Sequence, residues 1–128
     1  MPMNIRLIRA PEFLKATAEG DYDLKESRQL LLGLASAVPA PEDVDILIDT
    51  REVSSRLTLS SLYELAREFT DLRIAANRRT AILVPADRYD DAEFFAITAG
   101  GMGRRVRAFT SFEEVFDWLA GDATSSQQ

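Results

Sequence analysis

The sequence predicts an α/β domain: a mostly parallel sheet of about five strands, opened by an N-terminal β-hairpin and accompanied by four helices. Three observations carry this. The runs Ile46-Leu47-Ile48 and Ala81-Ile82-Leu83-Val84 are continuously apolar, as strands covered on both faces are. After each of them the apolar residues change to the spacing of one helix face. The patterns alternate in the order β β α β α β α β α, and right-handed crossovers lay such helices over a parallel sheet.

Ile5 to Ala10 and Phe13 to Ala18 flank Pro11-Glu12, a turn-like break, and read as the two strands of a hairpin. Leu14, Ala16 and Ala18 alternate with polar neighbours, as in a strand with one packed face, and Gly20 is expected to end it. Asp23 precedes Leu24, Leu30, Leu31, Leu34, Ala35 and Val38, a helical series closed by Pro39. The acidic linker Pro39 to Asp43 then delivers the chain to the strand at Val44, which is expected to stop at Asp49. From Leu59 the apolar positions Leu62, Tyr63, Ala66 and Phe69 form a second helix face directed at the sheet.

Asp87, Asp90 and Asp91 place acids ahead of Ala92, Phe95, Ala96, Ala99 and Met102, a third helix stopped by Gly100, Gly101 and Gly103. Val106 to Phe109 is the last strand. Ser111 and Glu114 form an S-x-x-E signature before the helix of Phe112, Val115, Phe116 and Leu119, with Gly121 as its end. Residues 1–121 thus read as a single domain, and 122–128 as a small, polar, mobile tail.

With 46% hydrophobic and 28% charged residues, the composition is that of an ordinary soluble globular protein. A net charge of -6 repels phosphate backbones and anionic bilayers, so no nucleic-acid partner and no membrane insertion are expected. Cysteine and histidine are both absent, which removes thiolate nucleophiles, Cys- or His-ligated metals and histidine bases. The N-terminal stretch lacks the uninterrupted apolar core of a signal peptide, so a cytoplasmic location is expected.

The densest polar cluster is the segment Asp49 to Thr58, expected as a loop at the carboxyl edge of the sheet, where ligands and partners of open α/β folds meet the protein. It holds Asp49, Arg51, Ser54, Ser55 and Thr58, with Ser60 in the next helical turn. These six are the candidate site, read as a partner-docking or phosphorylation surface, since a phosphate at a helix N-terminus meets free N–H groups. Thr58 is also a natural N-cap.

No catalytic or metal set accompanies them. Asp49 occupies the place of a phosphoacceptor aspartate, but Ala10-Pro11-Glu12 and Phe109-Thr110-Ser111 do not supply the acidic pair and lysine that such a site needs, and Asp49 is expected to pair with Arg51 or cap the loop. Asp87, Asp90, Asp91 and Glu93 lack calcium-loop spacing. Gly100-Gly101-Met102-Gly103 follows a helix, as a C-cap does, instead of preceding one as a phosphate cradle does. No cofactor and no enzymatic activity are expected.

The strand ILIDTREV, the helix start LTLSSL, the strand RRTAILVP and the ending VRAFTSFEEVFDWL together resemble the SpoIIAA-like branch of the STAS domains, over Ile5 to Leu119. The resemblance implies a β-α superhelical fold and a non-enzymatic regulatory or interaction module, similar to bacterial antagonists of anti-sigma factors. It implies a protein partner, such as a regulator or kinase, and switching by phosphorylation of a Ser or Thr at the helix start. Thr58 and Ser60 lie nearest that position. The antagonists carry an acidic residue and Ser-Ser-Gly there, whereas this chain reads Leu57-Thr58-Leu59-Ser60-Ser61.

A second expectation is a small apolar or lipid-like ligand in a pocket between sheet and helices, lined by Tyr63, Phe69, Tyr89, Phe94 and Phe95. Homodimerisation through an uncovered edge or helix stays open.

Overall fold

The chain is described by a computed structural model covering residues 4–9, 13–55 and 57–125. The elements are β1 (Asn4–Arg9), β2 (Phe13–Tyr22), α1 (Leu24–Ser36), β3 (Asp45–Ser55), α2 (Leu59–Asp71), β4 (Arg79–Leu83), α3 (Tyr89–Gly101), β5 (Arg105–Phe109) and α4 (Phe112–Ser125). Single 3-10 turns at Pro41–Asp43 and Ala86–Arg88 precede β3 and α3. The strands lie in the order β1-β2-β3-β4-β5, with β1 antiparallel to β2 and every other neighbouring pair parallel. The expected hairpin is therefore present, although its break at Pro11-Glu12 lies outside the described residues, as do Arg56 and 126–128.

Sequential strand order has a consequence for the layers. Successive right-handed crossovers that all step in the same direction return on the same side of the sheet. Accordingly α1, α2 and α3 share one face, where Leu34, Ala66, Phe69 and Ala99 pack on Leu14, Ala16, Ile46 and Ile48. α4 has no later strand to reach and covers the other face, with Val115 against Leu47, Ala81, Leu83 and Phe109. The apolar run of β3 divides accordingly: Ile46 and Ile48 face the three helices, and Leu47 faces α4.

Three boundaries differ from expectation. β2 does not end at Gly20: that residue sits inside the strand at φ 105, a conformation glycine adopts without a Cβ clash. β3 does not stop at Asp49 but continues to Ser55, paired with Glu19 to Tyr22 of β2. The two strands supply each other's backbone partners beyond the end of β4, so a segment that looked like a solvated loop is a ribbon. α4 runs through Gly121 to Ser125, so residues 122–125, expected as tail, are helical. A glycine weakens a helix interior by about 0.5–1 kcal/mol without terminating it.

Arg79 is buried in β4 and donates to the Leu119 carbonyl at 2.6 Å and to that of Trp118, both within α4. Its neighbour across the sheet, Asp45, accepts from the Arg79 N–H at 2.8 Å and from the Arg78 guanidinium at 3.0 and 3.2 Å. This network fixes α4 to the start of β3. Among the described residues no helix is long and apolar enough to cross a membrane.

Candidate functional site

The carboxyl edge of the sheet holds the candidate residues, and a register shift distributes them. Thr17 pairs with Asp49, but Glu19 pairs with Glu52, so β3 contains one more residue than β2 between these points. Such a bulge reverses which side chains face which side. Before it, Thr50 faces the three-helix side with Ile46 and Ile48; after it, Val53 and Ser55 do. Asp49 and Arg51 face the α4 side.

The bulge thus separates the six candidate residues. Asp49 is buried, and its carboxylate accepts both nitrogens of a guanidinium fork from Arg51, at 3.0 and 2.9 Å, together with the Arg51 backbone N–H at 3.1 Å. Burial pushes the Asp49 carboxyl up, but the Arg51 hydrogen bonds and charge, with Lys15 beyond, outweigh it and hold the group below its ordinary value. The pairing with Arg51 was one of the two roles expected for this aspartate. Arg51 and Lys15 also lie over the Phe112 ring of α4, at 6.0 and 5.0 Å from its centroid.

Ser54 is exposed on the β2–β3 ribbon and Ser55 is half-buried on the opposite side. Thr58 is the N-cap of α2, as its type and place suggested, accepting from the Ser61 N–H at 3.1 Å. Ser60 is exposed in the first turn. α2 is also the one helix of the four with no acid in its first turn; Glu26, Asp90 and Asp91, and Glu113 and Glu114 serve the others. Its positive end is left without a carboxylate of its own.

The face of α2 differs from the sequence reading. Leu62, Leu65, Ala66 and Phe69 are its buried stripe, while Leu59 and Tyr63 are 59% and 51% exposed. The apolar arc is wider than the strip that reaches the sheet, and its flank stays in water. Leu59, Ser60 and Tyr63 therefore form a mixed apolar and hydroxyl surface next to the capped helix start.

Beneath that start, between the sheet and α1, α2 and α3, lies a cavity of about 130 Å³. Its walls are mainly aliphatic, from Ile48, Val53, Leu62, Leu65 and Ile82, and Phe95 is the one member of the expected aromatic set that lines it. Phe69 is instead core, edge-on to Phe95 at 5.8 Å; Phe94 and Tyr89 pack half-buried against the core, and Tyr63 is on the surface. Tyr22, Ser27, Thr50, Ser55, Arg88 and Asp91 also line its walls. Arg88 donates to the Thr50 carbonyl at 2.6 Å, and burial lowers its guanidinium from the ordinary arginine value against the charges of Asp87 and Asp91. Burial, with Glu19 and Glu26 nearby, pushes the Tyr22 phenol up to about 12.

Tyr22, Val53 and Arg88 were not anticipated at the site. Tyr22 and Val53 carried a signal, since each is a large apolar position beyond an expected strand end. Arg88 carried none, because its place depends on how α3 meets β3. Among the described residues no three acidic side chains converge as a metal site.

A five-stranded sheet of this order, with three helices on one face and one on the other, is the SpoIIAA-like α/β (STAS) fold. Solved structures that share it include the following three. An uncharacterised protein of the DUF3478 family with a SpoIIAA-like fold, from Shewanella loihica, is 19% identical at a TM-score of 0.58, covering 91% of this chain and 93% of its own. The anti-sigma factor antagonist SpoIIAA in its unphosphorylated form is 18% identical at 0.55, over 92% and 99% of the two chains. An anti-sigma factor antagonist from Mycobacterium paratuberculosis is 9% identical at 0.64, over 93% and 95%. No family model and no curated protein sequence matches the chain.

Proposed function

We propose that this chain is a non-enzymatic regulatory module that docks a protein partner through the start of α2, in the manner of the anti-sigma factor antagonists whose fold it shares. The observation that carries the reading is the surface at Leu59, Ser60 and Tyr63. Two large apolar side chains stand in water beside a capped helix end that lacks its own acid, at the carboxyl edge of the sheet. Thr58 and Ser60 form the polar part of that surface, and Ser54 lies on the opposite side of β3 from Ser55. Asp49 and Arg51, on the other face, brace β3 against α4 and shape the site from behind.

Of the two hydroxyls in the switch position, Ser60 is the better phosphate acceptor, because the Thr58 oxygen is committed to the Ser61 N–H. A phosphate there would meet the positive end of α2 and change the charge of the docking surface. The partner, a cytoplasmic regulator or kinase of a bacterial cell, would contact an apolar patch with a hydroxylated rim.

Affinity capture from the source cell, with recovered proteins identified by mass spectrometry, tests this. The wild-type chain is expected to retain one regulatory protein, and Leu59→Asp, Tyr63→Asp and Ser60→Glu are each expected to reduce its recovery severalfold while the fold persists. Recovery that is the same for all three variants, or no specific protein at all, removes the reading.

A further inference from the structure

The cavity beneath α2 is distinct from the docking surface and has its own chemistry. Its volume of about 130 Å³ is close to that of an apolar cavity known to stay dry and admit benzene, roughly 150 Å³. It is well below the roughly 300–1,000 Å³ of pockets that hold larger ligands. A space of this size takes one ring or a short branched chain. Ile48, Val53, Leu62, Ile82 and Phe95 offer such a ligand only dispersion contacts.

Its polar wall residues are spread along β3, with Arg88 and Asp91 at the end near Thr50 and Ser55 at the far end of the strand. Arg88 is fastened at its end by a bond to the Thr50 carbonyl, and the Ser55 hydroxyl accepts from the Leu57 N–H at 3.4 Å at the other. The positive charge of Arg88 stands beside Asp87 and Asp91, so the Arg88 end offers donors without a surplus of positive charge. A neutral acceptor is served better than an anion. We propose that the cavity is a binding site for a small uncharged ring compound bearing a single hydroxyl or carbonyl group, with the ring against Val53, Leu62 and Phe95 and the oxygen directed to Arg88. Three of its wall residues, Leu57, Leu62 and Leu65, belong to α2 or the residue ahead of its cap, so occupancy would steady the base of the helix whose start is exposed.

The test is an amide proton–nitrogen NMR titration of the full chain with phenol, with benzoate and palmitate as comparators. Phenol is expected to give saturable shifts at Val53, Leu57, Leu62 and Ala92, with a dissociation constant of about 1 mM or tighter. Benzoate is expected to bind more weakly, and palmitate not in the cavity. Val53→Phe fills the space and is expected to weaken phenol at least about tenfold. Ala92→Leu does so from the opposite wall, and the same spectra report whether each variant is folded. Absence of saturable shifts with phenol, shifts that map elsewhere, benzoate binding tighter than phenol, or phenol binding that survives in a folded filled variant would each overturn the proposal. None of these readings depends on a protein partner.

Discussion

Asp45 and Asp49 stand at two points of β3, and both carboxylates are held by arginines. The local setting differs. Asp49 takes its partner from two residues along the same strand, and Arg51 remains nearly half exposed. Asp45 is reached from a different strand and tied through Arg79 to α4. Because the folded Asp49 carboxyl lies below its ordinary value of 3.8, the unfolded chain binds its proton more readily. The stabilisation is therefore present above that value and is lost as pH falls through the folded one. Asp49→Asn is expected to unfold at lower denaturant concentration than the wild type near neutral pH, and the gap is expected to close in acid. A gap that stays constant across the acid range would show that the Arg51 pair contributes nothing. The pairing was legible in the sequence because the partner is two residues away; the Asp45 network was not, because its members meet only through the sheet and α4.

At the scale of elements, the β2–β3 ribbon decides where the candidate side chains point. Two features make it: Gly20 at φ 105 on one strand and one additional residue on the other, near the same place. With a side chain at position 20 the backbone must leave that conformation or bear its strain. Gly20→Ala is expected to destabilise the protein by more than about 1 kcal/mol in chemical denaturation, opposite to the effect of the same change at an unstrained glycine. An unchanged or higher midpoint would mean that the ribbon does not need the left-handed geometry. The sequence marked Gly20 correctly as a special position but suggested an end instead of a bend. A lone glycine carries both meanings, and the pairing that distinguishes them comes from a strand more than thirty residues later.

For the whole molecule, the two faces carry unequal loads. Three helices build the larger core and α4 closes the smaller one, so the largest cost of truncation belongs to the first. Phe69 is fully buried at the centre of the larger core, and Phe69→Ala is expected to cost about 3–5 kcal/mol by denaturant unfolding. A change of less than about 1 kcal/mol would contradict that central packing.

The sequence by itself determined the element order, the strands buried on both faces, the Thr58 cap and the absence of cysteine and histidine chemistry, because these follow from short-range periodicity and composition. Only the tertiary structure decided that Asp49 and Arg51 face away from Ser55, that Leu59 and Tyr63 stay in water, and that a small aliphatic cavity lies below α2. Each of these depends on a pairing register or on how far a helix face reaches across a sheet, and such distances are set by packing between segments far apart in the chain.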